Sequence, residues 1–215
     1  RSEAEDIRRI NTWHMAAGRM IAVYGINGIG KTTQVERLVA FLQGQGLQAA
    51  RVKYPVYDLE PEGPFIHQYL RDPVFREANP QSTEELQMKY AENRRRYEST
   101  LRQRLADGEW IVAEDYLGTG IAWGLTWGAD LGYLEKINQD LRLPDLSILM
   151  HGHRFDTAIE KDHRNETDDE RIRICKNFHE LLGDRYGWMR IDANQSIEAV
   201  ERDMQLIVQD YQKQS

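Results

Sequence analysis

From Val23 to Val35 the chain reads VYGINGIGKTTQV, in which Gly25, Gly30, Lys31 and Thr32 fit the spacing GxxxxGK[ST]. Glycine is costly to order, so three in one turn mark backbone that must take positive φ or admit a close neighbour. N–H groups turned inward by such a loop form an anion nest, and the positive end of the following helix points at the same place. Asn27, Gly28, Ile29, Gly30, Lys31, Thr32 and Thr33 are therefore expected to cradle phosphate. The Lys31 ammonium would neutralise its charge, and the Thr32 hydroxyl would ligate Mg²⁺. Glu114, ending the apolar run from Trp110, suits a carboxylate that orders the metal and its waters, or a plain helix cap. Tyr90 and Arg94 stand four apart in a long helical pattern and share a face, where they either contact a ligand or simply pack.

Regular elements must hold these residues, and the pattern supplies them. Met20–Tyr24 is a compact apolar strand, and Val35, Leu38, Val39 and Leu42 give the next segment a helical stripe ending near Gly44 and Gly46. Ala49–Tyr54, Trp110–Ala113, Leu146–His151 and Trp188–Ile191 are further strands. Helices are expected over Phe65–Leu70 and Ser82–Leu105, and helical sequence follows each later strand. Strands alternating with helices imply an α/β fold with a parallel sheet covered on both faces. No repeat or linker divides the chain, so residues 19–215 are expected to form a single domain. Residues 1–18, which open on Arg1, are read as an extension or remnant outside it.

Composition narrows the function. With 215 residues and a formal net charge of −7, the chain is poorly suited to coating nucleic acid. No apolar run reaches the ~20 residues of a membrane span, and a cytoplasmic location is expected. The single cysteine, Cys175, excludes an internal disulfide. It shares a helical stripe with Ile174, Phe178, Leu181 and Leu182 and is expected to be core. His151 and His153 lack the cysteine or carboxylate frame of a zinc site.

Several separate motifs resemble the thymidylate kinase family: the phosphate loop, KYP at Lys53–Pro55, YAENRR from Tyr90, EDYLGTGIAWG at Glu114–Gly124 and IDANQSIEAV at Ile191–Val200. The resemblance implies a P-loop NTPase-type five-stranded parallel sheet with a mobile lid, here about residues 152–170, and commonly a homodimer. It implies transfer of the γ-phosphate of ATP to dTMP with Mg²⁺ held by Thr32 and Glu114, and Lys31 and Glu114 as catalytic groups. By resemblance Tyr90 stacks on the acceptor base, Arg94 bonds its edge, Trp123 and Tyr116 lie by its sugar, and Lys53, Tyr54, Tyr57, Arg71 and Asp115 line the acceptor site. Arg154 and Asn194 fall on the ATP side. The loop interior carries no arginine, so the lid has to supply the catalytic one, nominated as Arg164.

The chain also departs from that family. After Glu114 the family typically has an arginine that grips the acceptor phosphate, and this chain has Asp115; near Tyr57 a second family arginine is missing too. At an effective dielectric near 20, like charges ~4 Å apart cost about 4 kcal/mol. Either Lys53, Arg71, Arg95 or Arg96 compensates, or the acceptor differs from dTMP. Two other readings stay open: a deoxynucleoside kinase in which Glu114 or Asp115 is the base for a 5′-hydroxyl, and a non-catalytic nucleotide-binding protein.

Overall fold

All five residues of β1 (Met20–Tyr24) are buried, as a strand covered on both faces requires. The structure, a computed structural model, describes residues 17–155 and 161–214. After β1 come α1 (Lys31–Gly44), β2 (Ala49–Lys53), α2 (Glu62–Arg71), α3 (Pro73–Ala78), α4 (Thr83–Ala106), β3 (Trp110–Glu114) and α5 (Leu117–Thr126). Then follow α6 (Leu131–Ile137), β4 (Leu146–His151), α7 (Asp169–Tyr186), β5 (Met189–Asp192) and α8 (Ile197–Gln214). The strands form one five-stranded sheet in the order β2-β3-β1-β4-β5, every pair parallel. The central strands form the heart of the core, with α1 against α8 and α5 against α7.

The five expected strands are all present, with ends shifted by a residue or two: β2 stops at Lys53, β3 extends to Glu114, and β5 runs Met189–Asp192. The long helix α4 starts where a capping box dictates. The Ser82 hydroxyl accepts from the Glu85 N–H at 3.1 Å, while the Glu85 carboxylate accepts from the Ser82 N–H at 2.7 Å. Helix α3 was not expected. Its signal was Asp72 followed by Pro73, because the Asp72 carboxylate accepts from the N–H groups of Val74 and Phe75 while proline needs no donor at the first helical position.

The extension expected over residues 1–18 lies outside the described residues except for Ala17 and Gly18, and the Gly18 N–H donates to the Leu105 carbonyl at 2.8 Å. The segment expected as a lid overlaps the first turn of α7, which Asp168 caps. No helix among the described residues is long and apolar enough to cross a membrane.

Helix α7 corrects one expectation. Cys175 is buried, but its face toward the core runs Ile172, Cys175, His179 and Leu182, while Leu181 is 53% exposed. The histidine is tolerated inside because it satisfies one ring nitrogen within its own turn. Nδ1 lies 2.9 Å from the Cys175 carbonyl, an acceptor only, so Nδ1 carries the hydrogen. Nε2 is buried without a protein partner. Burial pushes the His179 imidazole down to about 4, against the pull of its bond to Cys175, and pushes the Cys175 thiol up to about 12.

His179 ties stability to pH. Between its ordinary value of 6.5 and about 4, the unfolded chain takes up a proton that the native protein refuses, so stability falls as pH drops through that window. At 1.36 kcal/mol per unit, going from about pH 7.5 to about pH 5 costs on the order of 2 kcal/mol from this group. His179→Gln cannot take up the proton and should lose correspondingly less in urea unfolding over the same range; equal losses would remove His179 as the cause.

Candidate functional site

The register of the sheet assembles the site. Pairing of β1 with β3 sets Glu114 opposite Val23, and pairing of β2 with β3 sets Lys53 opposite Glu114. The last residues of three strands thus meet the loop that leaves β1, beyond the carboxyl ends where open α/β sheets bind ligands. The turn into α1 has Gly25, Gly28 and Gly30 at φ values of 145°, 77° and 89°. Gly25 also has no room for a side chain, since a Cβ there would lie 2.7 Å from the Met150 carbonyl. Ile29 turns its side chain into the core, which leaves the loop's backbone for the cavity.

Lys31 folds back over this loop. Its ammonium donates to the carbonyls of Gly25 and Ile26, both at 2.9 Å, and lies 3.4 Å from Asp115 Oδ1. The Thr32 hydroxyl donates to Glu114 Oε1 at 2.8 Å. Glu114 is 1% exposed, and Lys53 at 2.7 Å and Arg51 at 2.7 Å balance its charge. Asp115 takes a left-handed backbone with φ 60°, unusual for a residue with a side chain, and accepts from the Thr119 hydroxyl at 3.1 Å. Burial alone would raise the Asp115 carboxyl, but Lys31 and Lys53 outweigh it and hold the carboxyl below the usual range. Burial alone would depress the Lys53 ammonium, but Asp115 and Glu114 hold it above the ordinary lysine range.

Two cavities meet here. One, about 300 Å³, is lined by Asn27, Gly28, Gly30, Lys31, Thr32 and Thr33 of the loop. The other, about 270 Å³, is lined among others by Tyr54, Tyr57, Arg71, Tyr90, Arg94 and Trp123. Asn27, Lys53, Asp115 and Glu166 border both. Arg94 is 4% exposed and pinned, its guanidinium donating to Asn138 Oδ1 at 2.7 Å. Burial lowers its pKa and raises that of Tyr90. Arg71 reaches Tyr57, with its Nη1 3.3 Å from the phenol oxygen and its guanidinium carbon 5.2 Å from the ring centre.

Other nominated residues lie elsewhere. Tyr116 is fully buried beside Tyr54, ring centres 4.8 Å apart, and does not line the second cavity. Arg95 is bonded to Glu92 and the Ile137 carbonyl and Arg96 to Glu62, so of the four cations weighed as compensating Asp115 only Lys53 and Arg71 face the cavity. Asn194 fixes the backbone after β4: its Oδ1 accepts from the His153 N–H at 2.7 Å and its Nδ2 donates to the His153 carbonyl at 2.8 Å. Arg154 donates to the Glu166 carbonyl at 2.8 Å and pairs with Asp169. Arg164 lies over the rings of Trp127 and Tyr69 and borders neither cavity.

The residues that sequence reasoning missed include Gln87, Thr119, Asn165 and Glu166, all on the second cavity. Gln87 had a signal, standing three before Tyr90 and seven before Arg94 on the same helix face. Glu166 had none; its position follows from a contact 139 residues away in sequence, the Asn27 Nδ2 donating to its Oε1 at 2.8 Å.

For a metal, the donor types fit Mg²⁺: a hydroxyl and a carboxylate side by side at the loop. Among the described residues no group of three His, Cys, Asp or Glu side chains can enclose a metal, which suits an ion completed by phosphate oxygens and water and not by a protein cage.

Comparison with known proteins agrees with this geometry. The profile of the thymidylate kinase family matches residues 23–204. A thymidylate kinase of Synechococcus sp. (strain RCC307) is 27% identical over 209 residues, covering 90% of this chain and 96% of the relative. The thymidylate kinase of Homo sapiens is 26% identical over 200 residues, covering 90% and 91%. The solved structure of thymidylate kinase from Candida albicans superimposes with a TM-score of 0.76 at 19% identity, covering 93% of this chain and 94% of that one, a likeness of fold. With the family profile running from the end of β1 into α8, this chain belongs to the thymidylate kinase family.

Proposed function

We propose that the protein transfers the γ-phosphoryl group of ATP to dTMP, giving ADP and dTDP. The observation that carries this is the pair of cavities, one lined by phosphate-loop backbone and one by an aromatic ring and a pinned arginine, meeting at Lys53 and Asp115. An acceptor phosphate oxygen attacks Pγ, the bond from Pγ to the bridging oxygen of ADP breaks, and no base is needed because the acceptor is already ionised. Such a transfer needs two substrates held in line and cations around the moving group.

The amides of residues 27–33 and the Lys31 ammonium hold the donor phosphates, and Arg154 stands on the ATP side. Tyr90 stacks on the acceptor base, Arg94 bonds its edge, Trp123 walls its sugar, and Lys53 with Arg71 takes its phosphate. Thr32 and Glu114 would hold Mg²⁺, which when bound neutralises charge on the donor phosphates. Homodimer assembly belongs to the same proposal and is read by sedimentation; a cytoplasmic location also belongs to it.

Asp115 favours a second reading, since a carboxylate at the junction of the cavities can accept a proton from a 5′-hydroxyl. Coupled assays of ATP consumption decide. Turnover with dTMP and not thymidine supports the first reading, turnover with thymidine alone supports the second, and silence with both sinks the pair. Lys31→Ala should cut turnover about a hundredfold or more while leaving the unfolding midpoint close to wild type; retained turnover would overturn the loop assignment.

Gly120 tests the base pocket. A Cβ there would lie 2.1 Å from Arg94 Nη2, which Asn138 prevents from retreating freely. Gly120→Ala should raise the acceptor KM about tenfold, or ~1.4 kcal/mol, with the KM for ATP unchanged. Equal changes in both KM values would mean that Arg94 does not read the acceptor.

A further inference from the structure

We propose that Trp127 is a positioning residue, an aromatic clasp that holds the segment 163–166 in place as one wall of the acceptor cavity. This rests on the acceptor reading given above, and it concerns a residue outside both cavities.

Trp127 follows the last turn of α5, and its backbone is tied on both sides. Its N–H donates to the Trp123 carbonyl at 3.0 Å, and its carbonyl accepts from the Thr83 hydroxyl at 3.0 Å. The half-buried indole projects from this fixed base and gathers side chains from the far segment. The guanidinium carbons of Arg164 and Arg171 lie 3.9 and 3.7 Å from its ring centre. Two planar cations so close to one ring centre collide and repel if they share a face, so they take opposite faces and the ring sits between them. The indole N–H points to Asn165 Oδ1 at 3.4 Å, a long contact that fixes direction more than it adds strength.

A second anchor works with the first. The Arg164 N–H donates to the Leu70 carbonyl at 2.8 Å, and its guanidinium carbon is 5.6 Å from the Tyr69 ring centre, so the segment also spans to the end of α2. Burial lowers the Arg164 pKa, yet guanidinium stays charged far above physiological pH, so the attraction to the ring persists across the working range.

The positions held in this way are the ones that matter to the site. With Arg164 and Asn165 fixed, His163 and Asn165 face the acceptor cavity, and Glu166 reaches the loop through Asn27 at 2.8 Å. Arg164 therefore has a physical role in this structure that differs from contact with the transferring phosphoryl group. It is a strut, and the clasp around it sets how tightly the acceptor cavity is closed.

Hydrogen–deuterium exchange and steady-state kinetics on the full chain test this together. In Trp127→Leu the amides of residues 161–168 should exchange at least about tenfold faster and the acceptor KM should rise about tenfold, with the KM for ATP changing less. Trp127→Phe keeps a ring face for the cations and should restore both values to within about threefold of wild type. If Trp127→Leu does not fold, the double variant Arg164→Gln, Arg171→Gln removes the cations and should give the same two effects. Exchange at 161–168 and acceptor KM both at wild-type levels would overturn the proposal, as would a lowered unfolding midpoint with neither of them moved. A wild-type protein that consumes no ATP with dTMP sinks the proposed function, while the exchange comparison still decides the clasp.

Discussion

A carboxylate that cannot reach water has to be matched by cations, and Glu114 imposes that condition on everything around it. An unpaired ionised carboxylate in the interior is ruled out by its solvation cost, and removing one partner of a buried pair costs several kcal/mol. Glu114 is buried at the end of β3, and Lys53, Arg51 and the Thr32 hydroxyl close on its two oxygens. Two elements deliver those partners: β2 brings both cations and α1 the hydroxyl. The pairing of β2 with β3, its register and the start of the first helix together bring these groups to one side chain.

Asp115 adds a second carboxylate next to the first, and its neighbours show how the charge is absorbed. Lys31 and Lys53 stand 3.4 Å away on either side. With Arg51 they make three cations against two carboxylates, leaving one positive charge where phosphates are to be held. Glu166, bonded to Asn27 at the border of both cavities, offsets most of that. A dianionic acceptor therefore finds little net attraction at the junction itself. Arg71, at the end of α2 and braced on Tyr57, is a further cation on the wall of the second cavity. Where the family resemblance implies arginines beside Glu114 and near Tyr57, this chain has Asp115 between two lysines, and Arg71 braced on the tyrosine.

How far the site could be read from sequence follows from the range of the interactions involved. The loop, its strand and its helix were legible because glycine spacing, an apolar run and a helical stripe are all local signals. That Tyr90 and Arg94 share a face was legible for the same reason, since one helix carries both, while their roles came from the resemblance alone. Asn27 meeting Glu166, Arg94 meeting Asn138 and the two arginines meeting Trp127 are contacts between distant segments, and no local pattern marks them. The misreading of α7 has a similar origin. Its apolar character puts Leu181 in the expected stripe, whereas packing against α5 orients the helix, and the histidine is buried where its own turn offers it a carbonyl.

The same contrast of local and distant contacts separates the two halves of the site by rigidity. The donor side is built from backbone continuous with the central strand and stiffened by Lys31 bonding to two carbonyls of its own loop. The second cavity is bordered by segment 163–166, whose contacts with the body include a stacked indole, a backbone bond to Leu70 and a side-chain bond to Asn27. Cation–π contacts and single hydrogen bonds each contribute only about 0.5–2 kcal/mol. A few such contacts can be broken and remade on the timescale of turnover, whereas a parallel sheet core cannot. The phosphate loop is thus tied into the sheet by its own backbone, whereas segment 163–166 is joined to the body by side-chain contacts and single hydrogen bonds.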